Sequence, residues 1–161
     1  MSDKWDRDWM AQCRWIARRK SKDPSTKVAA LVVFDRDQLG AGYNGLPRGV
    51  VDAPERYEDE GGRHDMMVHA EANALLHAGG RRGCAHATLY VWPLFPCSGQ
   101  ESGHNCAGLI INAGITRVVA DHDVLERWKP GYNVSLDMFK EAHVMVDFLK
   151  DWDDERLEVS V

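Results

Sequence analysis

The sequence predicts a layered α/β fold that contains a parallel strand pair. Two observations carry this prediction. Behind an N-terminal amphipathic helix, two apolar segments flank a short polar turn, as the strands of an antiparallel hairpin do. Further along, segments rich in β-branched residues alternate with helix-like segments, which is the pattern of strands joined by crossover helices.

The first helix is predicted by four apolar residues at helical spacing: Trp5, Trp9, Cys13 and Ile16. We expect this stripe to face the core, with Cys13 as a small buried apolar residue. Asp23-Pro24 then ends the pattern. The segments KVAALVVF at 27–34 and GAGYN at 40–44 predict two antiparallel strands.

A long loop is predicted from Gly45 to about Met66, and long loops in compact domains are often functional. The elements expected after it are a helix at 69–78, a strand at 87–93, a short helix at 106–114 and a strand at 116–120. Two helical segments, LERW and SLDMFKEA, and a strand at 144–149 follow. We expect one domain over residues 1–150 and an acidic tail over 151–161.

Composition narrows the class of function. The 161 residues carry a net charge of −5, which gives no overall attraction to nucleic acid. The basic runs at 17–20 and 79–83 are interpreted as solvated surface. No apolar stretch is long enough to cross a bilayer, and the N-terminus has no signal-peptide pattern. We therefore expect a cytoplasmic protein that acts on a small molecule, with neither nucleic acid nor a membrane as partner.

Four cysteines in a reducing compartment favour a metal or catalytic role over disulfides. His69 and Glu71 stand where the second helix begins, so both side chains can reach a ligand at its first turn. Cys97 follows a strand, and Cys106 opens the next helix, where a thiolate is favoured. One imidazole and two thiolates supply three zinc ligands and leave a fourth position for water, as in catalytic zinc sites.

Glu71 beside such a water can carry protons, and H-x-E followed by P-C is the pattern of zinc deaminases. Three further residues are candidate substrate contacts. Asn44 offers a donor and an acceptor for a sugar hydroxyl, with a role in the YNG turn as the alternative. Lys27 and Arg48 are candidate phosphate contacts, and Arg48 could instead bind an effector triphosphate.

Four other residues could suggest a second metal site, but their spacing matches no zinc pattern: His64, His77, Cys84 and His86. We expect them in surface or core roles.

Five blocks of the chain resemble the deoxycytidylate deaminases of the cytidine deaminase superfamily. In order they are SKDPSTKVAALVV, GYNGLPRGV, VHAEANALL, LYVWPLFPC and NCAGLIINAGI. They extend from about Ser21 to Ala120, and the GYNG-x-P block separates this family from the rest of the superfamily.

The resemblance implies a three-layer α/β/α sandwich with a mixed central sheet of about five strands. It implies a zinc ion held by His69, Cys97 and Cys106, with Glu71 as proton shuttle. The implied reaction is the hydrolytic deamination of dCMP to dUMP with release of ammonia. Many relatives form hexamers and are activated by dCTP and inhibited by dTTP, so a homo-oligomer and these effectors are expected.

Two departures from the family leave alternatives open. Eight residues, Ser98 to Asn105, separate the two cysteines, where the family has only a few. We interpret them as an insertion before Cys106, with His104 as the alternative ligand, and the insert could contact an unusual or modified nucleotide. The RHDMM segment replaces aromatic residues, which leaves regulation open. The alternative functions are deamination of another cytosine nucleotide, nucleoside or modified dCMP, and a non-catalytic zinc-stabilised nucleotide-binding protein.

Overall fold

The computed structural model describes residues 4–58, 63, 65–99, 103–121 and 129–149. Its centre is a sheet of five strands: β1 (Ala29–Phe34), β2 (Asp37–Tyr43), β3 (Thr88–Trp92), β4 (Arg117–Asp121) and β5 (Met145–Leu149). Their order across the sheet is β2-β1-β3-β4-β5. The β1 strand is antiparallel to both of its neighbours, and β3, β4 and β5 run parallel. The predicted mixed sheet is confirmed.

The described helices are α1 (Lys4–Lys20), α2 (Ala70–His77), α3 (Arg81–Cys84), α4 (Cys106–Asn112) and α5 (Lys129–Glu141), together with a 3-10 turn at Pro54–Tyr57. None of them is long and apolar enough to cross a bilayer. The α3 helix and the 3-10 turn were not predicted, because four residues are too few to display a helical period. The predicted LERW segment at 125–128 and the tail over 151–161 lie outside the described residues.

Side chains on the two faces of the sheet pack into separate apolar cores. On β1, Ala30 and Val32 face the core under α2, α4 and α5, whereas Leu31 and Val33 face the core under α1. This alternation follows from the two-residue period of a strand. Helices cover both faces of the sheet, which confirms the three-layer α/β/α arrangement.

The buried face of α1 contains most of the predicted stripe, because Cys13 is buried and Trp9 and Ile16 pack against the core under this helix. The residues buried on this helix are Asp6, Met10, Cys13 and Ala17, whereas Trp5 is 41% exposed. Asp6 can be buried because its charge is paired. The Asp6 carboxylate accepts hydrogen bonds from both terminal nitrogens of Arg117, at 2.8 and 2.7 Å, and one from the Tyr90 hydroxyl at 2.7 Å. With its charge paired in this way, the Asp6 carboxylate is buried against the sheet.

Candidate metal and active site

The three predicted metal ligands meet at one point beside the sheet. His69 is the N-cap of α2, Cys97 follows β3, and Cys106 is the first residue of α4. The Nδ1 atom of His69 lies 3.4 Å from Sγ of Cys97 and 3.3 Å from Sγ of Cys106. All three ligand atoms lie within 4.8 Å of one another. The fold thus joins residues that are 28 and 37 positions apart in the sequence.

These separations fit a tetrahedral metal ion. Zinc bonds of ordinary length hold an imidazole nitrogen and a thiolate sulfur about 3.5 Å apart. Neither Cys97 nor Cys106 is in a disulfide, so both sulfurs can serve as ligands. One imidazole with two thiolates is a donor set that suits zinc and leaves one tetrahedral position for another ligand.

The position of His69 is set by the chain on both sides of it. Val68, the residue before it, forms an antiparallel bridge with Gly45. The Gly45 amide donates to the Val68 carbonyl at 3.2 Å, and the Val68 amide donates to the Gly45 carbonyl at 2.9 Å. His69 itself is extended, with φ −68° and ψ 153°, and α2 begins immediately after it. The imidazole therefore stands at the start of the helix, next to the YNG turn.

Two glycines of β2 hold α2 close to the sheet. A Cβ at Gly42 would lie 2.3 Å from the carbonyl oxygen of Ala70, and one at Gly40 would lie 2.5 Å from that of Ala74. No side chain fits in such a gap. The α2 helix therefore packs with its backbone directly on β2, and this contact fixes where the side chains of its first turn point.

The two cysteines are held together by the start of α4. Asn105 caps this helix, because its side-chain oxygen accepts a hydrogen bond from the Gly108 amide at 2.7 Å. The Ala107 amide donates to the carbonyl oxygen of Cys97 at 3.1 Å. The first turn of α4 thus carries Cys106 and also anchors the backbone of Cys97.

Glu71 lies in the first turn of α2 and is only 4% exposed. Its carboxyl group lies close enough to Cys97, His69 and Cys106 for all three to act on its pKa. Burial, followed by the charge of Cys97, raises the pKa of Glu71 to about 7. A cation bound by the neighbouring ligands would favour the ionised form and act against this rise.

Charge crowding at the ligands gives a chemical reason for a cation. The hydrogen bond with Cys97, burial and the charge of Glu71 all raise the pKa of Cys106, against the effect of its position at a helix start. Burial alone lowers the pKa of His69, but its hydrogen bond with Cys97 and the charge of Glu71 outweigh burial, so the pKa is raised. A divalent cation favours the deprotonated ligands that this arrangement otherwise disfavours.

His104, the alternative third ligand, lies beside the group. Its ring stacks on the His69 ring with centroids 4.1 Å apart and planes 20° from parallel. Its carbonyl oxygen accepts a weak hydrogen bond from the Cys97 thiol at 3.8 Å. The compact three-atom group contains the Cys106 sulfur and no His104 nitrogen. Cys106 as the third ligand stays a prediction that this geometry favours.

The three candidate substrate contacts lie in different surroundings. Asn44 is buried, and its side chain makes four hydrogen bonds: it accepts from Ser21 Oγ at 2.7 Å and from the Val28 amide at 2.8 Å, and it donates to the Thr26 carbonyl at 2.8 Å and to Asp23 Oδ2 at 3.5 Å. These bonds hold the segment before β1 and run to residues 21–28, outside the YNG turn. Lys27 and Arg48 are exposed. All three substrate contacts stay predictions.

A buried arginine in the long loop was not anticipated. Arg63 is 4% exposed, donates to the Tyr57 carbonyl at 2.6 Å and to Ser25 Oγ at 3.3 Å, and lies 3.6 Å from Asp23. It fastens the long loop to the segment before β1. Its signal in the sequence is the RHDMM segment, which departs from the aromatic residues of the family.

The remaining candidates form no second metal group. His77 and His86 are exposed, Cys84 is buried, and His64 lies outside the described residues. The His77 Nδ1 atom lies 2.6 Å from the Ala41 carbonyl oxygen, which ties the end of α2 to β2. Within the described part of the chain, His69, Cys97 and Cys106 are the one group of metal-binding side chains.

An α/β sandwich with a His/Cys/Cys group and a glutamate beside it defines the class of zinc deaminases. Comparison with known proteins narrows the class. The family described as "Cytidine and deoxycytidylate deaminase zinc-binding region" matches residues 3–121. The chain therefore belongs to the cytidine and deoxycytidylate deaminase family, whose members are deaminase enzymes.

Individual relatives agree with this membership. An uncharacterized deaminase of Aliivibrio fischeri is 35% identical over 152 residues, which cover 92% of this chain and 96% of that protein. The deoxycytidylate deaminase of Mycobacterium phage D29 is 36% identical over 127 residues, 71% of this chain and 92% of the phage protein.

Solved structures have the same fold. The dCMP deaminase of cyanophage S-TIM5, in complex with dCMP and dUMP, superposes with a TM-score of 0.66 at 21% identity and covers 92% of this chain and 99% of that one. Acinetobacter baumannii RibD matches with a TM-score of 0.65 at 25% identity over 90% of this chain. The chain spans only 35% of the RibD chain.

Proposed function

We propose that the chain is a zinc-dependent deoxycytidylate deaminase, which converts dCMP and water to dUMP and ammonia. One observation carries the proposal: a buried carboxyl group, that of Glu71, lies against a His/Cys/Cys group that fits zinc. A purely structural zinc site has four protein ligands and no use for a carboxylate beside an open position. An acid–base group next to three ligands is what hydrolytic deamination needs.

Glu71 transfers the protons in this reaction. When bound, zinc supplies Lewis acidity, which makes water a nucleophile at neutral pH. Glu71 accepts a proton from the water that attacks C4 of cytosine and delivers it to N3. It then passes a second proton, from the new hydroxyl group, to the amino group, so that the C4–N bond breaks and ammonia leaves. Its burial keeps bulk water from exchanging these protons.

The choice of dCMP as substrate is supported by relatives. The phage D29 protein is named a deoxycytidylate deaminase, and the S-TIM5 enzyme was solved with dCMP and dUMP. Lys27 and Arg48 are exposed cations that can bind the 5′-phosphate, and an arginine can bind it with two parallel hydrogen bonds. We assign the sugar hydroxyl to Asn44, where it would take the place of the longest of the four side-chain hydrogen bonds, that to Asp23 Oδ2 at 3.5 Å.

Regulation and assembly belong to the same proposal. We expect activation by dCTP and inhibition by dTTP, with Arg48 as the candidate contact for an effector triphosphate. We expect a homo-hexamer that acts in the cytoplasm. Each of these statements is tested separately from the chemistry, by adding the two triphosphates to the assay and by measuring the mass of the assembly in solution.

The decisive experiment measures zinc content and ammonia release on the same purified protein. The substrates are dCMP, dCTP, deoxycytidine and cytosine. We expect one zinc ion per chain, and a kcat/KM for dCMP that exceeds that for deoxycytidine by about tenfold or more, because a charged phosphate contact is lost from the nucleoside. Zinc without ammonia release from any substrate would contradict the proposal and favour a binding protein.

A further inference from the structure

We propose that Ser135, on α5, is a positioning residue for Cys97 and acts through Ser98. The inference rests on the proposed function, in which Cys97 is a metal ligand. It gives α5 a part in supporting the metal site, although this helix lies beyond residues 3–121, the part of the chain that matches the family.

Cys97 is held from two directions. On one side, its carbonyl oxygen accepts a hydrogen bond from the Ala107 amide of α4 at 3.1 Å. On the other side, the next residue, Ser98, is fastened to α5. The Ser98 hydroxyl oxygen lies 3.3 Å from the Gly131 carbonyl oxygen and 3.1 Å from the Ser135 hydroxyl oxygen.

The contact with α5 is a closed triangle of oxygen atoms. Its corners are Ser98 Oγ, Ser135 Oγ and the Gly131 carbonyl oxygen, and Ser135 Oγ lies 3.0 Å from that carbonyl oxygen. The two hydroxyl hydrogens are therefore shared among three short oxygen–oxygen distances. Ser98 is 3% exposed and Ser135 is fully buried. Loss of either hydroxyl removes two of the three contacts and leaves the other hydroxyl with the Gly131 carbonyl as its one partner in the triangle.

The backbones leave no room for Ser98 to move. A Cβ at Gly131 would lie 2.5 Å from the Ser98 carbonyl oxygen, so only a glycine allows this approach. Before the cysteine, the Phe95 ring packs edge-on against Tyr132 of the same helix, with centroids 4.9 Å apart. Both flanks of Cys97 are thus fixed to α5, and the thiol is oriented before a metal binds.

Residues of this kind change metal affinity although they touch no metal. Groups that orient a ligand typically contribute about 10–100-fold to affinity. Without the Ser135 hydroxyl, Ser98 loses one of its two side-chain contacts with α5, and we expect the Cys97 sulfur to be held less firmly at its place 3.4 Å from His69 Nδ1. A residue that only stabilised the fold would lower the free energy of unfolding and leave the ligand geometry unchanged.

The test uses the 161-residue chain carrying Ser135→Ala, loaded with zinc or with cobalt. We expect a chelator competition assay to give about tenfold weaker zinc binding. We also expect a shift in the cobalt–thiolate absorption band, which reports sulfur geometry. Ser98→Ala should have a similar effect, and the double variant should add little to it, because both changes break the same triangle.

Met138→Ala is the matched control, because Met138 lies on the same helix and its apolar side chain packs against the core. It should lower stability and leave both zinc affinity and the cobalt band unchanged. If S135A keeps wild-type affinity and spectrum, or if M138A weakens zinc as much as S135A does, the inference is overturned. Should S135A not fold, S98A decides the question alone, since Ser98 lies in a loop.

Measurements on the wild-type protein distinguish failure of the proposed function from failure of the role of Ser135. A wild-type chain that binds no zinc overturns the proposed function and this inference together. A wild-type chain that binds zinc and deaminates dCMP, beside an S135A variant that behaves identically, overturns the inference alone.

Discussion

The backbones of Gly42 and Ala74 approach so closely that a Cβ on the glycine would lie 2.3 Å from the Ala74 amide nitrogen. Gly40 approaches the next turn of the same helix, because a Cβ on it would lie 2.7 Å from the Ala78 amide nitrogen. The helix that follows His69 therefore rests directly on the edge strand of the sheet. The locations of the imidazole and of Glu71 both depend on this contact.

A methyl group at Gly42 should displace the helix. We expect Gly42→Ala to lower the free energy of unfolding by about 1–3 kcal/mol, because backbone atoms on both sides have to separate. Zinc binding should also weaken, since His69 moves with the start of α2. Urea denaturation of the metal-free protein and chelator competition measure the two effects.

Gly45→Ala is the control for this experiment. A Cβ at Gly45 would meet its nearest atom at 3.6 Å, which is ordinary van der Waals contact, and this glycine has no positive φ. Its effect on stability should stay within about 0.5 kcal/mol. A G42A protein as stable as G45A would contradict the proposed packing.

The strands and the ligand group could be predicted from the sequence because local signals mark them. Apolar β-branched runs mark β1, β3 and β4, and the H-x-E and P-C motifs carry their own chemistry. Asn105 marks the start of α4, as residues that favour N-caps do. In each case, a few neighbouring residues contain the information.

The rest depends on contacts between distant residues. Asp6 and Arg117 are 111 positions apart, and their ion pair buries a carboxylate on α1 that the apolar pattern did not predict. Likewise, Ser98 and Ser135 are 37 positions apart and carry no motif. Spacing alone gives no sign of such pairs, because each residue taken singly has the pattern of an ordinary surface position.

The third metal ligand can be identified by paired substitutions. We expect Cys106→Ala to weaken zinc binding by more than about 100-fold, because it leaves only two protein ligands. His104→Ala should keep one zinc ion per chain, since the three grouped atoms are untouched. Elemental analysis after dialysis against a weak chelator distinguishes the two variants. The reverse result, with zinc lost from H104A and retained by C106A, would identify His104 as the ligand.

Glu71→Gln should separate metal binding from catalysis. The amide keeps the size of the side chain but cannot carry a proton between water and base, so kcat should fall by about 100-fold or more. Zinc content should stay at the wild-type level, because Glu71 is not among the grouped ligands. The exposed Glu55, changed to Gln, serves as a control for loss of charge. Near-normal turnover by E71Q would refute its role.

The ion pair between Lys22 and Asp52 predicts a pH dependence of stability. The hydrogen bond from Lys22, followed by one from the Tyr57 hydroxyl at 2.7 Å, holds the pKa of Asp52 below its usual value of 3.8. Because the pKa is lowered in the folded state, the carboxylate stabilises the fold above the unfolded pKa. This contribution is lost as the pH falls through the folded pKa.

Asp52→Asn should therefore lower stability slightly at pH 7, and its difference from wild type should shrink as the pH falls below 3.8. The effect is small and weakens with added salt, since both charged side chains are about half exposed. At alkaline pH the opposite sign holds for Tyr57. Burial, followed by the hydrogen bond with Asp52, raises its pKa to about 12, so its contribution is lost as the pH rises from 10.0 through that value.

This expectation is tested by urea denaturation of wild type, D52N and the exposed control Asp137→Asn. The midpoints are measured from pH 7 down to pH 3, at low and at high salt. D137N should differ from wild type by a similar amount at every pH. The decisive quantity is the difference in urea midpoint between wild type and D52N. A gap that widens on acidification, or one that salt leaves unchanged, would mean that Asp52 stabilises the loop by some means other than its charge, because a protonated carboxyl cannot hold Lys22 as an ion pair.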